Sequence, residues 1–323
     1  MKAPPEIKSE FEWLAAIQKI LGPARRAVVG IGDDAAVLPA SSHPLAVTVD
    51  AMVEGVHFDL AYCLPEDVGH KALAMNESDL HAMAARPRFA VVSVVLPAEK
   101  AAAFLPGFYQ GLAERSRTSG VEIVGGNLSH TSGPVSVSIT LFGDQVRSPL
   151  LRQGARPGDQ LGILGTLGEA AAGLWALRAL GREAAQRRYG PLVQAQLRPG
   201  VRVPAGWESL GATSAMDVSD GLSSELHHLA RASGVSFELD RAALALPPLL
   251  RQAAGEAGVD PFEWVLHGGE DYALLFTAPS EIDLPSRLPG AVCIGRVHPA
   301  GTPAVWEGSP ARPVLPRGHD HFA

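Results

Sequence analysis

The sequence predicts two mixed domains, each of α+β or α/β type, and three observations lead there. Short apolar strands and amphipathic helices alternate along both halves. The stretch from Arg147 to Gly158, with LLRQGARPGD at its centre, is rich in Gly, Pro and Arg and separates residues 1–146 from 147–323. With 323 residues, the chain is long enough for two cores.

In the first half, Phe11 to Leu21 reads as a helix stopped by Gly22-Pro23. Strands are predicted near Ala35–Leu38 and Leu45–Met52, then a helix over Pro65–Ala85 that stops before Arg86-Pro87. A strand (Phe89–Leu96), a helix (Ala98–Ser119) and two strands (Val121–Val124, Val135–Phe142) follow. In the second half a strand (Gln160–Leu164) and a Gly-rich turn lead to a helix (Glu169–Leu180). A strand (Thr213–Val218) feeds a helix (Gly221–Ala232) with Leu222, Leu226, Leu229 and Ala230 on one face, and strands recur at Ser236–Leu239, Tyr272–Thr277 and Val292–Val297.

Composition excludes several classes. With 46% hydrophobic and 19% charged residues this is an ordinary globular chain. A net charge of −7 and the lack of any basic run argue against a nucleic-acid surface. An acidic protein still binds ATP where metal ions neutralise the phosphates. Cys63 and Cys293 have no metal-ligand spacing, which argues against structural zinc, while a disulfide between them stays open. The start, MKAPPEIKSEFEW, has no apolar core after its charges and is not a signal peptide. No window approaches the ~18 apolar residues of a membrane span. A reducing, cytoplasmic location is expected.

The most informative feature is a set of aspartates at the edges of apolar segments: Asp34, Asp50, Asp79, Asp217 and Asp220. Such carboxylates suit hard divalent cations, and several cations suit a polyphosphate. Thr48 and Asp50 share one face of the strand LAVTVDAM, and with Val47 and Val49 beside it this strand is expected to be partly buried. Asp50 then either meets a metal or is a strand-end carboxylate that is solvated or paired with an arginine. On the helix over 65–85, Asp79 and Asn76 fall within the apolar arc of Val68, Ala72, Leu73, Leu80 and Met83. His70, Lys71, Glu77, Ser78 and His81 fall outside it. A carboxylate there is satisfied locally or faces a polar cavity, and the cavity is favoured. Asp217-Val218-Ser219-Asp220-Gly221 sits at a strand-to-helix junction, where Ser219 or Asp220 either caps the helix or meets a ligand; Asp217, still on the strand, is not explained by capping.

Gly125-Gly126-Asn127 and Gly268-Gly269-Glu270-Asp271 allow close backbone approach, or simply make turns. Gly165-Thr166-Leu167-Gly168 lacks the Lys of a phosphate loop and is read as structural. Neither G-x-x-x-x-G-K-[ST] nor G-x-G-x-x-G is present. His57 follows the Asp50 strand closely enough to contact a ligand there, whereas His227 and His228 read as solvated. Covalent nucleophilic catalysis is disfavoured, since there is no Gly-x-Ser-x-Gly and neither cysteine has an evident base.

In series, GIGDDAAVL, TVDAMVEGVHF, VGHKALAMNESDLHAMAARP, MDVSDGLSSELHHLA and HGGEDYALLFT resemble the thiamine-monophosphate kinase family of the aminoimidazole-ribonucleotide-synthetase-like superfamily. The match runs from about Phe11 to the terminal Asp320-His321-Phe322. The resemblance implies an N-terminal ATP-binding and dimerisation domain and a C-terminal α/β domain. It also implies ATP-dependent phosphorylation of thiamine monophosphate to thiamine diphosphate by a homodimer, the ATP held by several Mg2+ ions. By residue, it implies metal ligands at Asp34, Thr48, Val49 (through its backbone), Asp50, Asp79, Asn127, Asp217 and Asp220. Nucleotide contacts fall at Tyr109, Gly126, Asn127, Arg152 and Ser219, and substrate contacts at His57 and Glu270. Two departures stand out: Asn127 occupies a place where the family has an aspartate, and Pro316 stands where the family has a substrate-stacking aromatic. His319 replaces the family's tyrosine nearby, and Trp306 is a distant candidate platform.

Overall fold

The computed structural model describes residues 10–201, 203–204 and 206–319. The first nine residues and the Asp320-His321-Phe322 ending lie outside them. The chain forms two compact units, one comprising the sequence up to Glu77 with Arg86–Gln145, the other Ser78–Ala85 with the sequence from Val146 onward.

Unit 1 contains α1 (Glu10–Leu21), β1 (Leu45–Val53), most of α2 (Pro65–Ala82), β2 (Arg86–Leu96), α3 (Ala101–Ser119), β3 (Glu122–His130) and β4 (Ser136–Asp144). Its sheet has the order β1-β4-β2-β3, with β2 and β3 parallel and the other pairs antiparallel. Alternating β2 and β4 residues such as Val92, Val94, Ile139 and Leu141 are buried with Phe104, Phe108 and Leu112 of α3. Phe104 stacks on Phe108 at 5.5 Å and α3 ends on a left-handed Gly120.

Four expectations need correction in this unit. The strand expected at Ala35–Leu38 is a single bridge between Val29 and Val37, too short to form a ladder. On β1 the burial is reversed: Val47 and Val49 are 54% and 61% exposed, whereas Thr48 and Asp50 are half-buried on the opposite face. α2 has no solvated side along its middle: Lys71, Glu77 and Ser78 are buried, and Glu77 receives Arg115 Nε at 2.7 Å. β3 runs past its expected end at Val124 and through Gly125-Gly126, so of the two alternatives for these glycines close backbone approach holds and the turn does not. The register skips Val124, pairing Ala90 with Ile123 and Val91 with Gly125. At Gly126 a Cβ would lie 2.1 Å from the Val92 carbonyl oxygen, so only glycine lets the strands pair there.

Unit 2 contains β5 (Gln160–Leu164), α4 (Glu169–Leu180), α5 (Arg182–Leu197), β6 (Ser214–Val218), α6 (Leu222–Ser233), β7 (Val235–Leu239), α7 (Pro248–Ala257), α8 (Pro261–His267), β8 (Ala273–Ala278), α9 (Leu284–Arg287), β9 (Ala291–Pro299), β10 (Val305–Glu307) and β11 (Arg312–Pro313). The sheet order is β11-β10-β7-β9-β5-β8-β6. The apolar face read on α6 is buried at Leu222, Leu226, Leu229 and Ala230. The end of α2 belongs here because Ala82 and Ala84 pack with Trp207, Leu210 and Phe276, and Trp207 Nε1 donates to the His81 carbonyl at 2.8 Å.

Candidate functional site

Each unit gathers its own share of the candidate residues. In unit 1 a cavity of about 800 Å3 is lined by the Gly30–Asp34 loop, by Tyr109 of α3 and by Gly125, Gly126 and Asn127 of β3. Leu14, Ile17 and Leu21 of α1 form an apolar wall. Asp34, Tyr109, Gly126 and Asn127 are thus brought together. Asp33, which the motif reading passed over, also lines the cavity and accepts the Asp34 N–H at 2.9 Å. Tyr109 is 4% exposed, and burial pushes its phenol up, so it offers a neutral hydroxyl and a ring face. Asn127 Nδ2 donates to Ser129 Oγ at 2.9 Å, so Oδ1 is the atom suited to a cation.

Thr48, Asp50 and His57 do not line this cavity. Asp50 N–H donates to Asn76 Oδ1 at 3.2 Å, which ties β1 to α2. The exposed side chain of Val49 leaves only its backbone as a plausible ligand. The Val53 N–H donates to His57 Nδ1 at 3.1 Å, which puts the ring proton of neutral His57 on Nε2 and makes that atom a donor toward an anion.

In unit 2, Asp217 is the fourth residue of β6, a strand whose five residues are all buried. Ser78 Oγ donates to Asp217 Oδ2 at 2.8 Å, a contact that the helical-face reading of Ser78 missed. Burial and then the charge of Asp79 push Asp217 up to about 6, while Ser78 and Arg152 pull it down. Arg152 is exposed, and its guanidinium also holds the His228 imidazole down, after burial.

The junction after Asp217 is not a side-chain cap. Gly221 occupies the N-cap of α6 and no side chain bonds there, so the capping alternative for Ser219 and Asp220 fails. Instead Glu225 reaches back, its Oε1 accepting the Asp220 N–H at 2.8 Å. Burial first, then the charges of Asp220 and Asp217, push Glu225 up to about 7. The 268–272 loop is laced to this junction: Glu270 N–H donates to Ser219 O at 2.6 Å and Tyr272 N–H to Val218 O at 2.9 Å. At Gly269 a Cβ would lie 2.6 Å from Ser219 O, so the double glycine serves close approach. Asp271 accepts the Gly168 and Ala170 N–H groups at 2.7 and 3.2 Å, giving Gly165–Gly168 its structural role at the start of α4. Burial pushes Asp271 up to about 8 despite these two donors.

The segment after Pro316 lies over the same junction. Arg317 N–H donates to Ser223 Oγ at 3.3 Å and His319 N–H to the Asp220 carbonyl at 3.1 Å. Trp306, in contrast, sits on β10 near the far edge of the sheet, with β7, β9 and β5 between it and β8, and packs on His298 at 5.0 Å. It is not the platform.

Among the described residues no group of three or more His, Cys, Asp or Glu side chains is arranged as a metal cage. Magnesium does not require one, because it is typically held by one or two carboxylates, water and the phosphates of a substrate. The crowding of Asp79 against buried Asp217 fits such an ion, since a cation between them relieves both the repulsion and the burial. No described helix is long and apolar enough to cross a membrane. Cys63 and Cys293 do not form a disulfide, which answers the question left open by the sequence.

Residues 32–144 match the family model for the AIR synthase related protein, N-terminal domain, and residues 156–297 match that for its C-terminal domain. A thiamine-monophosphate kinase of Mycobacterium tuberculosis is 39% identical over 309 residues, covering 94% of this chain and 91% of its own. A solved thiamine monophosphate kinase of Aquifex aeolicus is 36% identical, with a TM-score of 0.77 over 86% of this chain and 91% of that one. A further structure, described as AaThiL complexed with AMPPCP and TMP, is 35% identical, with a TM-score of 0.80 over 99% of this chain and 100% of that one.

Proposed function

Belonging, as these matches show, to the thiamine-monophosphate kinase family, this chain is an ATP-dependent kinase that phosphorylates thiamine monophosphate, and we propose how its residues do so. The transfer is direct. A phosphate oxygen of thiamine monophosphate attacks the γ-phosphorus of ATP, the bond to the β-phosphate oxygen breaks in line, and thiamine diphosphate and ADP leave. The attacking oxygen is already largely ionised near neutrality, so no general base and no phospho-enzyme is needed.

Nucleotide contacts are Tyr109, Gly126 and Asn127 in unit 1 and Arg152 and Ser219 in unit 2. The unit 1 cavity supports this reading: its apolar wall suits a base and its glycine-lined strand suits close approach. Asp34, Thr48, Val49, Asp50 and Asn127 in unit 1, and Asp79, Asp217 and Asp220 in unit 2, are the magnesium ligands. When bound, Mg2+ neutralises the charge that spreads over the moving phosphoryl group. His57 donates from Nε2 to the substrate phosphate, and Glu270 contacts the thiamine portion. The observation that carries this reading is Asp217, buried at 8% exposure on its strand with the charge of Asp79 beside it, an arrangement that a cation would relieve.

Leu45, Val47 and Val49 form an exposed apolar row on the edge strand β1. That row supports a homodimer in which a second copy covers β1. That Cys63 and Cys293 are not joined in a disulfide supports a reducing, cytoplasmic setting. The test is turnover: purified protein with ATP, Mg2+ and thiamine monophosphate yields thiamine diphosphate and ADP by chromatography. Intact ligand binding without product would overturn the mechanism.

A further inference from the structure

We infer that Gln196 is a positioning residue that aims the carboxylate of Glu270 and thereby sets affinity for the phosphate-accepting substrate. This rests on Glu270 being a contact of thiamine monophosphate. The backbone of Glu270 is fixed on every side. Its φ is +66°, a left-handed conformation that side-chain-bearing residues rarely adopt, and Tyr272 follows at +48°. The Glu270 and Tyr272 N–H groups are bonded to the carbonyls of Ser219 and Val218, and Asp271 is anchored at the start of α4. What remains to be set is the direction of the Glu270 side chain.

Gln196, near the end of α5, supplies that direction. Its Nε2 donates to Glu270 Oε2 at 2.6 Å. Only the amide nitrogen can face a carboxylate, so the orientation of the Gln196 amide follows. The residue is 4% exposed, and Gly173 of α4 packs so close that a Cβ there would meet Gln196 Cβ at 3.1 Å. Little room is left for the amide to swing. The cost of this arrangement is visible: Gln196 Oε1 is buried with no hydrogen-bond partner. A residue selected for packing alone would satisfy both amide atoms or carry none. The unpaired oxygen marks a side chain held for the sake of its nitrogen.

The test uses Gln196→Met, which keeps size and removes the donor, and Gln196→Glu, which keeps shape and sets a second carboxylate against Glu270. Both are expected to raise KM for thiamine monophosphate about tenfold, leave KM for ATP unchanged, and change kcat less than KM. In a Glu270→Ala background Gln196→Met adds nothing further. If Glu270→Ala raises that KM while both Gln196 variants do not, the positioning role is overturned and the substrate contact stands. If Glu270→Ala itself leaves it unchanged, the substrate assignment fails and the inference falls with it. Calorimetric titration of thiamine monophosphate into the folded fraction gives the same answer for a variant that folds poorly. An equal rise in both KM values marks a general structural role and also overturns the inference.

Discussion

In unit 1 the candidate ligands meet solvent, with Asp34 and Asn127 exposed around a wide cavity and Thr48 and Asp50 half-covered on a strand face. In unit 2 Asp217 is enclosed, 8% exposed beside Glu225 at 1%, while Asp79, Ser219 and Asp220 are half-buried around it and two loops are stitched together there by backbone bonds. The difference teaches how the two halves are organised for a charged ligand. Unit 2 holds its acids in a prearranged, electrostatically loaded state that a cation relieves. Unit 1 offers an open cavity whose polar groups are held by short local hydrogen bonds, such as Asn127 to Ser129.

The contrast breaks first at Asp79. Asp79→Asn is expected to lower turnover on the order of 10²-fold, a loss of the size that follows removal of a transition-state charge contact. Its thermal midpoint should hold or rise, because the charge that pushes Asp217 up has gone. A melt far below the parent would show that Asp79 is architectural. Unit 1 should answer differently to a change in its cavity wall. Gly126→Ala forces a Cβ toward the Val92 carbonyl and is expected to cost about 1–3 kcal/mol of stability in urea titration, together with weaker ATP binding. Unchanged stability would mean that β3 can shift without penalty.

A gentler probe is Asn127→Asp, which restores a charge on the open side. It should lower the Mg2+ concentration at half-maximal rate by roughly threefold, well below the tenfold that ~1.4 kcal/mol would give. An unchanged titration would remove residue 127 from the ligand set.

A pH series tests enclosure itself. Asp271 keeps its proton in the folded chain up to about pH 8, whereas the unfolded chain releases it near 3.8. Stability from this group is therefore greatest in acid and falls as pH rises from about 4 to 8. Compared with Asp271→Asn, the native melting midpoint should drop over pH 5–8 and level off above it. Parallel midpoints would place Asp271 in a more polar setting than its burial implies.

Much of this was legible in the sequence wherever pattern and burial agree. The strand Gln160–Leu164 and the helix Glu169–Leu180 have the bounds expected of them, because apolar runs end at glycines. The family motifs named a set of residues of which Asp34, Tyr109, Gly126 and Asn127 meet around one cavity. Helical periodicity failed on α2, where polar residues are buried by pairing with Arg115 and Asp217, partners remote in sequence. At Gly125-Gly126 local pattern could not choose between a turn and close approach; pairing with β2, remote in sequence, decides for close approach. α5 escaped notice because Gly190-Pro191 interrupts it, with Tyr189 outside helical angles. Asp33 lies inside the GIGDDAAVL motif but is not singled out by it, and Gln196 carries no motif at all; their neighbours in space reveal them.

Asp271 reaches the first turn of α4 while its neighbour Glu270 faces the substrate in the proposed arrangement. The amide protons of Gly168 and Ala170 are therefore one residue away from the proposed substrate contact, through Asp271. Their hydrogen–deuterium exchange should slow when thiamine monophosphate binds and remain indifferent to ATP alone, a built-in readout of one substrate that requires no label.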